Sequence, residues 1–216
     1  MAVGPESELL LGALPPGRHR LARDVVLASQ RARLLSAMTE TVTVRPYGDV
    51  TVADLVARAG VSRRTFYEHF PSKPECLLAA YEAGTQLLVR AIAAAVSGRQ
   101  GWRERLGAGI RAYLETLAAS PGFARVFVLE IAGAGDAALE RRRAVHRRFV
   151  ALYRELNATA RAEDPRVRTV ADEELLLVVG GTEQLVAEHL RQRQAGELPA
   201  LTPIVVSVVS SLLLSS

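Results

Sequence analysis

An all-α fold in two parts is what this sequence predicts, and three observations carry the expectation. Apolar residues recur at intervals of three and four along most of its 216 residues, prolines and glycines fall between those stretches, and no period-two alternation is sustained. The valine-rich runs near 178 and 205 have helical neighbours and are read as helix with them. The expected boundaries are an N-terminal three-helix unit over residues 18–73 and a second helical domain over 74–216.

Taken in order, residues 1–17 end in Pro15-Pro16-Gly17 and form a lead. Leu21, Val25, Ala28, Ala32, Leu35 and Thr39 then mark a first helix of about five turns, closed before Pro46. Pro46-Tyr47-Gly48-Asp49 is turn chemistry, and Thr51 caps a short helix through Arg58, with Asp54 completing a capping-box pair. Gly60 supplies a left-handed turn, and Ser62 caps the next helix at once. Val52, Leu55, Val56, Ala59, Val61, Phe66 and Phe70 are the expected shared core. Ser72 and Pro74 open a longer helix toward Val96, and Ser97 to Gly101 break it. Further helices are expected from Trp102 to Ala119, Pro121 to Ala132, Asp136 to Ala162, Asp172 to Gln194 and Pro203 to Leu214.

The net charge of +4 rests on 27 Lys plus Arg against 23 Asp plus Glu, and it permits nucleic-acid binding without demanding it. Cys76 is the only cysteine, so no intrachain disulfide forms, and a structural thiol in a reducing cytosol is expected. Leu9-Leu10-Leu11 lacks the basic start of a secretory signal. The apolar stretch from Ile204 to Leu214 falls short of the ~20 residues that span a bilayer. A cytoplasmic protein without a membrane partner is the resulting expectation. No metal-ligand cluster, Gly-rich phosphate loop or paired nucleophile and base stands in the sequence, so no metal, cofactor or enzymatic activity is expected.

The two short helices joined at Gly60 have the spacing of a helix-turn-helix. An α-helix fits the DNA major groove, where side chains near its start reach base edges while flanking groups hold phosphates. Arg63, Arg64 and Thr65 occupy that start. Tyr67, His69 and Lys73 supply polar tips beyond it, and Thr51 offers a phosphate donor on the preceding helix. A solvated arginine-bearing turn between core helices is the blander reading of the same residues. Ahead of the first helix, Arg18-His19-Arg20 with Arg23 is either a basic arm reaching DNA or a solvated tail.

The run Thr51-Val52-Ala53-Asp54-Leu55-Val56-Ala57-Arg58-Ala59-Gly60-Val61-Ser62-Arg63-Arg64-Thr65-Phe66-Tyr67-Glu68-His69-Phe70-Pro71-Ser72-Lys73 resembles the signature of the TetR family of transcriptional regulators, and the resemblance covers about residues 20–92. It implies that Arg63, Arg64 and Glu68 face the bases, that Thr65, Tyr67, His69 and Lys73 hold phosphates, and that Phe66 and Phe70 are core. Two departures stand out: Pro46-Tyr47 where the family usually has Gly-Tyr, and Val50-Thr51 where it usually has a threonine pair. Losing the hydroxyl at Val50 is expected to remove a phosphate contact.

In the C-terminal part, Arg142, His146, Phe149 and Tyr153 share one helical stripe. The stripe either lines a pocket for an acidic or aromatic small molecule or is a core edge over which basic groups snorkel. Glu130 follows Phe123 and Phe127 at helical spacing, and Glu183 shares a stripe with Leu176, Val179, Val186 and Leu190. A carboxylate on an apolar stripe needs a partner, and a structural pair with Arg142 or His146 is favoured over a ligand contact. Tyr113 and Phe127 complete the candidate pocket, with Trp102 a further wall residue and core packing as the default. Gly180-Gly181 in mid-helix costs about 1 kcal/mol per glycine, which close approach of another helix would offset. The last helix is apolar nearly all round, too much for the surface of a monomer.

The resemblance implies that the last two helices pair with their two-fold mates as a four-helix bundle. The expected protein is therefore a ligand-responsive homodimer, a repressor released from a palindromic double-stranded DNA operator by a small-molecule effector. The competing reading is a helical small-molecule-binding or protein-interaction module with a vestigial DNA-reading helix.

Overall fold

The computed structural model describes residues 23–192 and 194–214, so the arm Arg18-His19-Arg20 and the first residues of the expected N-terminal unit lie outside the described residues. The helices are α1 (Arg23–Val44), α2 (Val52–Ala59), α3 (Arg63–His69), α4 (Lys73–Val96), α5 (Trp102–Ala119), α6 (Pro121–Arg125), α7 (Asp136–Glu163), α8 (Asp172–Arg191) and α9 (Thr202–Leu214). No strand occurs among the described residues.

Local chemistry fixes the starts of the short helices. The Thr51 hydroxyl accepts the Asp54 N–H at 3.2 Å while the Asp54 carboxylate accepts the Thr51 N–H at 2.9 Å, closing the expected capping box on α2. Gly60 ends α2 at φ +62°, a conformation that costs glycine little. Arg33 reaches over from α1 and donates to the Ala59 carbonyl at 2.9 Å, satisfying an acceptor left free at the helix end. Ser62 caps α3 by accepting the Thr65 N–H at 3.0 Å, and Ser72 caps α4 through Glu75.

The first core gathers Leu34 and Met38 of α1, Leu55 of α2 and Phe66 of α3 around Cys76 and Leu77 of α4, all fully buried. Val52, Val56 and Val61 pack against it only partly buried. Burial pushes the Cys76 thiol up to about 12, which suits the expected structural role. Helix α4 then continues into the second core, where Tyr81 stacks on Phe127 at 5.4 Å and Leu88 meets the same buried cluster as Leu114 and Leu117.

The expected single helix from Pro121 to Ala132 is broken into three. After α6 comes one π turn, Val126–Glu130, in which the Ile131 N–H reaches back five residues to the Val126 carbonyl, then a 3₁₀ turn, Ile131–Ala134. This segment is the seam between the N-terminal helices and the rest of one continuous core. The Arg125 guanidinium donates to the Val42 carbonyl at 2.9 Å and pairs with Glu130 at 3.2 Å; Glu130 in turn accepts the Tyr47 N–H at 3.0 Å. Gly122 lies so near α1 that a Cβ there would stand 2.4 Å from the Thr39 carbonyl oxygen.

Helix α8 stops at Arg191, not at Gln194, and a 3₁₀ stretch, Ala195–Leu201, leads into α9. The continuous apolar stretch is therefore Ala195–Leu214, 20 residues, long and apolar enough by composition to cross a membrane, which the shorter count from Ile204 missed. Leu198, Val205, Val209 and Leu213 are buried on the core side, whereas Ile204 and Val208 are half exposed.

The seam makes a direct prediction. Gly122→Ala forces a methyl group against a backbone carbonyl and should cost about 1–3 kcal/mol in urea denaturation, whereas Gly48→Ala, with nothing within 4 Å of the new Cβ, should change stability by less than ~0.5 kcal/mol.

Candidate functional site

Helix α3 buries Phe66 and turns Arg63, Arg64, Tyr67 and Glu68 to solvent. That division follows from its helical period, with Phe66 and Phe70 four residues apart on the inner face. Tyr67 is 54% exposed although aromatic, its ring set edge-on to Phe66 at 5.3 Å. Arg64 and Glu68 form an exposed i,i+4 pair at 3.0 Å, and Arg63 has no partner among the described residues. An exposed pair of this kind is weak, so neither member is held firmly by the other.

The residues implied to hold phosphates differ in how free they are. Thr65 is half-buried, its hydroxyl 2.9 Å from that of Ser62. His69 Nε2 lies 3.3 Å from Gln30 Oε1, and burial together with the nearby Arg31 charge lowers its pKa, so the single N–H of the neutral ring is engaged by Gln30. Lys73 is turned inward: its ammonium donates to the carbonyls of Tyr47 at 3.0 Å and Val50 at 2.8 Å and sits 4.2 Å above the Tyr47 ring. Two of its three donors are thus spent on the turn before α2, leaving one. Thr51 gives its hydroxyl proton to Asp54 at 2.7 Å, which makes it first a cap. Val50 is buried, so its position faces the core and not a phosphate. Sequence reasoning passed over Arg45, exposed beside the start of α2 and 3.3 Å from Asp54; its place after the first helix carried no motif.

Behind this surface, α4, α5, the π turn, α7 and α8 enclose a cavity of about 270 Å³. Six of the eight candidate pocket residues line it: Tyr113, Phe127, His146, Phe149, Tyr153 and Glu183. Phe149 is the hub of the aromatic wall, edge-on to Tyr113 at 5.7 Å and to Phe127 at 6.4 Å. Burial pushes the Tyr153 phenol up to about 12 and raises that of Tyr113 further. Ile92, Leu106, Ile110 and Leu156 complete the apolar lining; in sequence they read as ordinary core. Arg105 and Thr159 also border the cavity, and nothing in their spacing announced them.

Glu183, only 6% exposed, is held by two cationic or donor side chains of α7. Arg142 reaches it at 3.0 Å and the His146 ring nitrogen at 2.7 Å. Arg142 therefore stands behind the cavity lining, on a second, more polar pocket of about 320 Å³ that shares His146 and Glu183 with the first. Burial alone would raise the Glu183 carboxyl, but the hydrogen bonds from His146 and Arg142 and the Arg142 charge outweigh it and hold the pKa below the ordinary 4.5.

Glu130 is a correction: it does not join the cavity. The π turn widens the helix between Phe127 and Glu130, so helical spacing no longer keeps them on one face, and the carboxylate goes instead to Arg125 and the Tyr47 N–H.

Comparison with known proteins agrees with this arrangement. Residues 34–80 match the sequence profile of bacterial regulatory proteins, tetR family. The HTH-type transcriptional activator FasR of Mycolicibacterium smegmatis is 31% identical over 101 residues, which cover 47% of this chain and 46% of that protein, so the chain spans about half the length of this curated relative. Among solved structures, the fatty acid degradation regulator FadR from Bacillus halodurans superposes with a TM-score of 0.76 at 18% identity, over 83% of this chain and 94% of that one. FadR from Bacillus subtilis, solved in complex with stearoyl-CoA, gives 0.73 at 18% identity, over 83% and 97%. At such identities the structural likeness shows the fold alone.

The Glu183 cluster sets a pH dependence whose sign is fixed. Because its folded pKa is lowered, its contribution to stability is complete above the ordinary value of 4.5 and is lost as pH falls through the folded value. Glu183→Gln should cost about 1–3 kcal/mol near pH 7, and the gap to the parent should shrink on acidification toward about pH 3. Urea denaturation across that range checks both.

Proposed function

We propose that the chain, whose residues 34–80 match the tetR family of bacterial regulatory proteins, acts as a homodimeric transcriptional regulator whose DNA affinity is set by a small molecule held in the inner cavity. The observation that carries this reading is the outer face of α3, where Arg63, Arg64, Tyr67 and Glu68 stand exposed on a helix fixed at both ends.

Dimerisation is supported by what the last two helices leave uncovered. Leu176, Leu177 and Leu185 of α8 and Ile204 and Val208 of α9 are between 40% and 76% exposed. Gly180 and Gly181 have nothing within 4 Å of the positions a Cβ would take, which leaves room for the close approach of a second copy that would offset their helical cost. A second copy also accounts for the outer face of α9 without a bilayer. Two α3 helices related by a two-fold axis then read half-sites about 34–36 Å apart in a near-palindromic operator.

The effector reading rests on the cavity, whose lining is aromatic and aliphatic apart from a few polar groups, as small-molecule sites generally are. Stearoyl-CoA on the Bacillus subtilis FadR makes an acyl-type ligand a natural candidate. Ligand and operator then oppose each other by the difference in ligand affinity between the two states, and repression relieved by the effector is the simplest outcome. The likeness to the activator FasR favours a second sign, in which the bound protein promotes transcription. Nothing in either scheme requires catalysis, and both place the protein with the chromosome in the cytoplasm.

Selection from random duplexes followed by anisotropy titration tests the DNA reading. Arg63→Ala or Arg64→Ala should cost about 1–3 kcal/mol and relax base preference if the contact is bidentate, whereas Tyr67→Ala should weaken all sequences alike. No enriched sequence at low salt, or unchanged affinity when all three are replaced together, would leave only a vestigial DNA-reading helix. Sedimentation equilibrium tests the assembly: Leu177→Glu combined with Ile204→Glu should convert a dimer to a monomer, and a mass unaffected by both overturns the proposed interface.

A further inference from the structure

Tyr113 of α5 and Tyr153 of α7 line the cavity, and neither hydroxyl has a hydrogen-bond partner among the described residues. Both residues are only partly buried, and their hydroxyl oxygens stay accessible. A phenol without a protein partner keeps its O–H free to donate to whatever fills the cavity. Two of them on one mainly apolar cavity point to an occupant that brings acceptor atoms.

The charges around the cavity narrow the kind of acceptor. Its lining holds one arginine, Arg105, against two carboxylates, Glu155 and Glu183. Arg105 is already paired with Glu163 at 2.8 Å, and His146 is committed to Glu183 at 2.7 Å. A buried anion would find no uncommitted cation in this lining and would stand near the Glu183 carboxylate. The two phenols donate to a neutral acceptor without any such cost.

We propose that the cavity selects an uncharged apolar molecule bearing a carbonyl-type acceptor, an acyl ester or thioester and not the free acid of the same chain, and that Tyr113 and Tyr153 are the specificity-determining donors. The proposal rests on the reading of this cavity as the effector site.

Displacement of the neutral fluorescent dye N-phenylnaphthylamine from the full chain, at neutral pH, separates the two. Methyl octanoate should bind at least about tenfold more tightly than octanoate. In Tyr113→Phe, Tyr153→Phe and the double variant, dye affinity should be unchanged while the ester weakens, by about tenfold or more in the double variant, a change of ~1.4 kcal/mol. The single variants and the retained dye signal report that the cavity is intact. Octanoate binding as tightly as the ester, or ester affinity unaffected by the double substitution, overturns the proposal and leaves the effector cavity standing. No binding of dye, ester or acid to the parent chain overturns both.

Discussion

The Glu130 carboxylate is the tie on which the arrangement of this molecule depends. One oxygen takes the Tyr47 N–H, just ahead of α2, and the other takes Arg125, whose guanidinium also closes on the last turn of α1 through the Val42 carbonyl. Two hydrogen bonds thus join the N-terminal helices to the segment that carries Phe127, a wall of the cavity, and the Arg125–Glu130 pair braces them from within that segment. One buried apolar cluster runs through both parts by way of α4 and the contact of α6 with α1, and these bonds lie at its edge. Charge-assisted bonds of this kind have narrow geometry, so they fix an angle where apolar contact alone would allow sliding.

The cavity owes its form to a similar economy of polar groups. A 28-residue helix presents Arg142, His146, Phe149 and Tyr153 along one stripe, so the same face is ionic toward one end and aromatic toward the other. Glu183 absorbs the ionic end. With the carboxylate neutralised by its two partners, the partition between the apolar cavity and the polar pocket behind it can be thin and still satisfied, with His146 and Glu183 facing both.

Much of this was legible in the sequence where the cause was local. Thr51, Ser62, Ser72 and Gly60 announce helix ends because a cap needs only its neighbours three residues on. The stripe on α7 and the partnered Glu183 were readable because helical period and the cost of an unpaired carboxylate are general. What escaped had distant causes. Lys73 looked like a free cation until the turn at Tyr47 and Val50 folded over it. Ile92 and Ile110 could be told from core only once α4 and α5 were seen to leave space between themselves and α7. The 3₁₀ stretch before α9 was hidden because Leu198-Pro199 reads as a separator, and Glu130 was misplaced because a uniform 3.6-residue period does not hold across that helix.

That broken period has a consequence for chain length. A π turn holds one residue more than the α-helical turn it replaces, so it behaves as an insertion absorbed without a loop. Removing a single residue between Val126 and Glu130 would restore regular winding and rotate everything after it. The Glu130 carboxylate would then swing off the Tyr47 amide. At this point the protein is sensitive to the count of its residues as well as to their identity: a deletion that spared every named side chain would still unfasten the two halves.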